Sequence, residues 1–270
     1  KDREDILKIH VGKKPLSKDI SLRNIAERTP GFSGADLENL LNEAAILAVR
    51  NDKKTIEESD ILESIEKVLL GPERKSKVIT DKTKKMTAYH EAGHAIVGHF
   101  LENCDPVRKV SIISRGRAGG YTLNMPKEDR QYHTANQFKD DLAMILGGYV
   151  VEEMVFGDLS TGPSSDLQKA TQVARDMVTR YGMSKLGPRT FGKHEDMIFL
   201  GRDIHEQRDY SDKTAEDIDK EIIILIEEAK SKAKKVIDER KDKMDKMVAV
   251  LMEKETIEQE EIEEILGKKV

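Results

Sequence analysis

His90 and His94 stand four residues apart with Glu91 between them, and the same helical face continues through Met86, Val97 and Leu101. A fold that contains this stretch must bury a helix carrying two imidazoles into its core, because i and i+4 positions share a face and the remaining positions of that face are apolar. Buried imidazoles need partners. The pattern His90-Glu91-Ala92-Gly93-His94 sets two ring nitrogens at a separation that a tetrahedral zinc ion bridges, with the Glu beside the water that completes the coordination. The bland alternative is two core histidines satisfied by backbone carbonyls.

A zinc ion with catalytic chemistry takes three protein ligands and keeps one position open. The metzincin continuation asks for Gly at 97 and His at 100, but Val97 and Phe100 stand there and His99 falls one place off. A Glu about twenty residues further on, as in thermolysin, is also missing, since positions 103–127 hold no Glu. Asp166 is the remaining candidate. It opens a predicted helix and shares a face with Ala170, Val173 and Met177, where a carboxylate is costly unless paired. Aspartate also favours a helix N-terminus for ordinary electrostatic reasons, so spacing alone leaves zinc ligation and simple capping both open.

The rest of the chain reads as mainly α. Glu, Lys, Asp, Ile, Leu and Ala recur, aromatics are 4% and Trp is absent. With 270 residues and 37% hydrophobic content there is material for one large domain or two smaller ones. Residues 1–71 read as a small helical bundle, with Ser21, Ser33 and Ser59 as helix caps before helices that include 35–51 and 60–70. Leu37, Leu40, Leu41, Ala44, Ala45 and Ala48 form a packing stripe on the longer one. Residues 72–82, opening with Gly71-Pro72 and a charge run, read as a linker, and 83–270 as a second domain. That domain is expected to begin with a helix over 83–101. Strands over 107–113 and 121–125 follow around a Gly-rich tip, then helices over 135–156, 165–181 and 211–253. Ile218, Ile222, Leu225, Ile226, Ala229, Val236 and Ile237 make an apolar seam for packing or subunit contact.

Several function classes lose ground on composition. The 46 basic and 51 acidic residues are mixed along the chain, giving a net charge of −5 and no basic stripe, so nucleic acid is not expected as a partner. Cys104 is the one cysteine, read as a packed thiol in a reducing compartment rather than a metal ligand. No stretch reaches the ~18 apolar residues of a membrane span and no signal peptide opens the chain, which is expected to be a soluble piece of a longer protein. His10, His133, His194 and His205 lie in polar contexts and read as surface residues.

Residues 83–182 resemble the peptidase domain of the FtsH family of membrane-anchored AAA+ proteases. The resemblance rests on Tyr89-His90-Glu91-Ala92-Gly93-His94-Ala95, on Gly147-Gly148-Tyr149-Val150-Val151-Glu152-Glu153, and on Ser160-Thr161-Gly162 with Asp166-Leu167 and Ala170-Thr171. Thr29-Pro30-Gly31-Phe32-Ser33-Gly34-Ala35-Asp36-Leu37 is similar to the family's AAA+ lid, and Lys254-Glu255-Thr256-Ile257 to its C-terminal helical region. The resemblance implies a helical lid followed by a helical zinc-metallopeptidase domain with a small β-hairpin or sheet. It implies zinc on His90, His94 and Asp166, with Glu91 as general base for the hydrolysis of unfolded or membrane proteins. It further implies a homo-hexamer and a parent anchored in a bacterial inner membrane, this region facing the cytoplasm. Gly34 and Ala35 resemble lid positions near the adenine, but no phosphate-binding Gly-x-x-x-x-Gly-Lys loop is present, so ATP and magnesium belong to the parent and no ATPase activity is expected here. Gly120, Tyr121 and Thr122 read as an edge strand to which an extended substrate can add, or as an ordinary hairpin strand. A scaffold with structural zinc, and a lid acting as an adaptor, are the competing functions. A structural site has no use for Glu91 beside an open position.

Overall fold

The computed structural model describes residues 1–73, 80–116, 118–126, 132–192 and 209–269. Its first hydrophobic core is built by α1 (Asp2–Val11), α2 (Leu22–Glu27), α3 (Gly34–Arg50) and α4 (Glu58–Leu70). The start of α3 is fixed by a reciprocal cap, in which the Ser33 hydroxyl accepts from the Asp36 N–H while Asp36 accepts from the Ser33 N–H. Ser21 caps α2 by a single bond, its hydroxyl accepting from the Asn24 N–H. Leu37, Leu40, Leu41, Ala44 and Ala48 are buried on the expected stripe, and Ala45 packs at its margin. Ser59 does not cap α4. That helix begins at Glu58, because the Asp60 carboxylate accepts from the Glu57 N–H at 2.9 Å and draws Ser59 into the first turn.

The second core surrounds α5 (Asp81–Phe100), capped by Thr80. Packed on it are β1 (Val107–Ser111), β2 (Tyr121–Asn124), α6 (Ala135–Ile145), α7 (Gly147–Phe156), α9 (Asp212–Glu239) and α10 (Lys241–Lys254). The helix α8 (Ser164–Thr179) closes over α6 and α9. Burial therefore reaches nearly all round the second half of α5, from Glu91 through His99, and Ala92, Gly93, Ala95 and Gly98 are small enough for neighbours to approach. The apolar seam of α9 faces inward: Ile218, Ile222, Leu225, Ala229 and Ile237 are buried in this core, with Ile226 and Val236 packed beside them. The remaining elements are β3 (Thr256–Glu258) and α11 (Gln259–Leu266).

The structure corrects four boundaries. The helix expected over 135–156 is two helices meeting at Leu146, and the one expected over 211–253 is two meeting at Arg240. The hairpin is shorter than expected at both strands, with a register shift between Val107 and Lys109. Thr256-Ile257, expected in a helical region, belongs to a strand that pairs antiparallel with β1. The sheet order is β2-β1-β3, which leaves β2 at an edge. Among the described residues no helix is long and apolar enough to cross a membrane.

Candidate metal centre

Two elements meet at one point. From α5 come His90 and His94, and from the first turn of α8 comes Asp166. His90 Nε2 lies 3.2 Å from Asp166 Oδ2 and 3.1 Å from His94 Nε2, and His94 Nε2 lies 3.5 Å from the same carboxylate oxygen. Among the described residues, this is the trio of His, Cys, Asp or Glu side chains whose ligand atoms fall within 4.8 Å of one another.

The far side of each ring fixes its tautomer. His94 Nδ1 is 2.8 Å from the Met144 carbonyl oxygen, which can only accept, and His90 Nδ1 is 2.9 Å from Glu152 Oε1. Both Nδ1 atoms carry the proton, so both Nε2 lone pairs point at each other and at a carboxylate oxygen. Two imidazole nitrogens and a carboxylate oxygen thus converge on one point, where a proton shared with His90 or a bound cation offsets their mutual repulsion. Burial works against the His90 imidazolium, yet Asp166 and Glu152 outweigh it and push the His90 pKa up to about 10. For Asp166, too, burial opposes the charge, and its bonds to His90 and His94 prevail, holding the carboxyl far below its ordinary range. The donor set of two imidazoles and one carboxylate, with oriented rings, fits zinc.

Glycines make the close packing possible. A Cβ on Gly148 would sit 2.4 to 2.6 Å from the His90 ring, so only hydrogen fits there. Where α5 crosses α7, a Cβ on Gly93 would meet the Gly147 carbonyl oxygen at 2.6 Å, and the reverse substitution is equally close. The Gly147-Gly148 pair thus seats one backbone against another and frees the space that His90 fills.

Glu91 projects from the same turn toward β2. It is buried, which pushes its carboxyl pKa up, while His94, His90 and a hydrogen bond from Thr122 pull in the other direction. The Thr122 hydroxyl lies 2.9 Å from Glu91 Oε2 and 3.1 Å from the Glu91 carbonyl oxygen. Gly120 packs on the same side chain, since a Cβ there would come within 2.9 Å of Glu91 Cγ. The Tyr121 side chain turns the other way, buried, with its hydroxyl donating to Glu66 of α4 at 2.8 Å.

Other candidates lie elsewhere. Gly34 and Ala35 open α3 in the first core, Ala35 exposed, away from the histidine pair. His99 is buried on α5 against Phe100, His10 is half-buried and His133 is exposed. His194 and His205 lie outside the described residues. Cys104 is buried and unpaired, its thiol pushed up to about 12 chiefly by burial. Glu152 stood in the Gly147–Glu153 motif without a role, although a Glu inside the apolar run from Tyr149 to Val155, following two glycines, is a visible signal of a partnered buried carboxylate.

Comparison with known proteins bears on the same residues. The model of peptidase family M41 matches residues 77–265, and that of the AAA+ lid domain matches residues 19–63. The ATP-dependent zinc metalloprotease FtsH 1 of Sphaerobacter thermophilus is 53% identical over 262 residues, 97% of this chain and 40% of that protein. The ATP-dependent zinc metalloprotease FtsH of Caldicellulosiruptor bescii is 51% identical over 267 residues, 98% of this chain and 43% of that protein. Its namesake in Bacillus subtilis is 47% identical over 266 residues, 98% of this chain and 42% of that protein. The chain spans about 40% of the length of these curated relatives.

Proposed function

Because the chain belongs to peptidase family M41, we propose that the cluster of His90, His94 and Asp166 holds a zinc ion and that Glu91 is the general base of an endopeptidase. The observation that carries the reading is the convergence of His90 Nε2, His94 Nε2 and Asp166 Oδ2, with Nδ1 of each ring engaged by another acceptor, one helical position from a buried carboxylate. When bound, zinc supplies a Lewis acid that polarises a scissile carbonyl and acidifies water. Glu91 takes the proton of the attacking water and delivers it to the nitrogen of the leaving amine, a role that contributes about 10²–10⁴ in rate. Its burial favours this exchange, because the neutral and charged forms of the carboxyl are brought closer in energy.

Substrate is read as an extended chain added to the free edge of β2 at Gly120, Tyr121 and Thr122, where backbone bonds give tolerance of sequence. The inward turn of the Tyr121 side chain leaves its backbone for that purpose. We divide the chain into an AAA+ lid (1–71), a linker (72–82) and the peptidase domain (83–270), a division supported by the two family matches and by the two separate cores. For the whole protein the reading extends to ATP-dependent threading of unfolded or membrane proteins, a homo-hexamer, and an anchor in a bacterial inner membrane with this region cytoplasmic. The lid match and the description of the relatives as ATP-dependent support the first of these. Gly34 and Ala35 would then face adenine held by a module beyond this chain.

Zinc per chain after exhaustive dialysis tests the ligand set. Wild type is expected to retain about one zinc and Asp166→Ala to lose most of it, with both folded by circular dichroism. Equal zinc in the two proteins would remove Asp166 from the set. Glu91→Gln is expected to keep zinc and fold but lose casein cleavage; cleavage near the wild-type rate would remove Glu91 from its role.

A further inference from the structure

The general base is held by a strand that is itself held by the lid. Thr122 of β2 places its hydroxyl 2.9 Å from Glu91 Oε2, and the preceding residue, Tyr121, donates its phenol to Glu66 Oε2 of α4 at 2.8 Å. Glu66 is a buried carboxylate, paired also with Lys109 of β1 at 2.6 Å and with Arg115 at 3.1 Å. Arg115 and Tyr121 are buried as well, so these contacts form a fixed junction rather than solvated surface pairs. Alternate residues of a strand point to opposite faces, so adjacent Tyr121 and Thr122 reach in opposite directions. One reaches toward the lid, the other toward the catalytic carboxylate. A shift of β2 along or away from α4 must therefore move the Thr122 hydroxyl relative to Glu91.

We propose that Thr122 is a positioning residue for Glu91, and that the Glu66–Tyr121 contact makes the lid helix α4 the support that keeps Thr122 in place. The proposal rests on the reading of Glu91 as the general base. The hydroxyl donates to the carboxylate oxygen when Glu91 is charged, which fixes the rotamer in which the other oxygen faces the reacting water. The side chains of Thr122 and Tyr121 hydrogen-bond to Glu91 and Glu66 rather than to His90, His94 or Asp166, so their loss acts on orientation and leaves metal binding alone.

The test uses the zinc-loaded chain with casein as substrate, and compares wild type, Thr122→Val, Thr122→Ser and Tyr121→Phe. Valine keeps the shape and the backbone N–H of threonine and removes only the hydroxyl. Thr122→Val is expected to lower kcat about tenfold, the equivalent of one hydrogen bond in the transition state, with KM within about twofold. Thr122→Ser is expected to recover most of that loss. Tyr121→Phe is expected to lower kcat by about threefold in the same pattern. Zinc retention against a competing chelator should be unchanged in all three variants, a readout independent of turnover. A wild-type kcat in Thr122→Val, or an equal loss in Thr122→Ser, overturns the positioning role. A wild-type kcat in Tyr121→Phe beside a slow Thr122→Val overturns the support from the lid. Zinc-loaded wild type that leaves even a short unstructured peptide uncut, a substrate that needs no threading, overturns the peptidase reading itself and is thereby distinguished from both.

Discussion

At the scale of single residues, the proposed centre depends on groups that touch the proposed ligands as well as on those ligands themselves. Glu152 is buried and bonds twice, through Oε1 to the His90 ring and through Oε2 to the Ser160 N–H at 3.0 Å. Burial resists its charge, but His90 and Ser160 hold its carboxyl below the usual carboxylate range. Glu152→Gln leaves one oxygen to do the work of two and removes the charge, so zinc affinity should fall by roughly 10–100-fold, read by competition with a chromophoric chelator. An unchanged affinity would mean that the ring is oriented by Asp166 alone. Gly148→Ala should also weaken zinc, because the new methyl carbon occupies the place of the His90 ring and the ring must turn away from Nε2 ligation. His90, Glu91 and His94 were legible in the sequence because one helix sets their spacing. Asp166 is 76 residues from His90 along the chain, so no local pattern could assign it, and the family resemblance supplied the argument. The Thr122 contact with Glu91 was invisible for the same reason, although Thr122 had been singled out for its strand.

At the scale of elements, the ends that were legible are those with local chemistry. Ser21 and Ser33 announce α2 and α3 because a cap involves residues three apart. Ser59 misled because Asp60, three residues after Glu57, makes the competing local bond. β3 could not be read, since three residues show no alternation and the strand exists through its pairing to β1. The end of α5 is set from still further away: Lys269 Nζ donates to the carbonyl oxygens of Gly98, Leu101 and Cys104 at 2.6, 3.0 and 2.7 Å. That ammonium, together with Lys243, adds to burial in pushing the His99 pKa from 6.5 down to about 4. Between those two values the native ring stays neutral while the unfolded chain takes up a proton. His99 therefore costs nothing above pH 6.5, and it lowers stability as pH falls toward 4, by up to about 1.4 kcal/mol per pH unit. Denaturant melts of zinc-loaded wild type and His99→Gln at pH 7 and pH 5 should show a smaller loss in the variant. Equal losses would mean that His99 does not stay neutral in the native protein.

At the scale of the whole molecule, the two cores are joined by a seam that is polar at its centre and loose at one side. The Gly116 N–H donates to the Pro72 carbonyl oxygen at 3.1 Å, and Glu73 pairs with Arg115 at 2.8 Å beside the Glu66 cluster. Gly116 adopts φ +52 and a Cβ there would lie 2.6 Å from the Leu70 carbonyl oxygen, so the chain crosses itself at van der Waals distance. Met125, just past β2, packs into the first core. Next to these contacts lies a cavity of about 620 Å³ lined by Phe32, Leu69, Leu123 and Met125 among others, so apolar packing does not fill the junction. Two consequences follow from a seam of this kind. The buried ion cluster adds little net stability over apolar packing, but removing one member takes a partner from buried charges, which costs up to about 3–5 kcal/mol. Glu66→Ala should therefore strike the smaller core, whose hold on the rest passes through Lys109, Arg115 and Tyr121. Calorimetry of the zinc-loaded protein is expected to show the lid core melting at least about 4 °C earlier in Glu66→Ala. The transition that releases zinc, followed with a chromophoric chelator, should stay in place, because the proposed ligands belong to the second core. Parallel downward shifts of both events would mean that the two cores unfold as one unit. An unshifted lid transition would mean that Arg115 and Lys109 find sufficient compensation in Glu73 and Glu258, their other acidic partners at 2.8 and 3.0 Å.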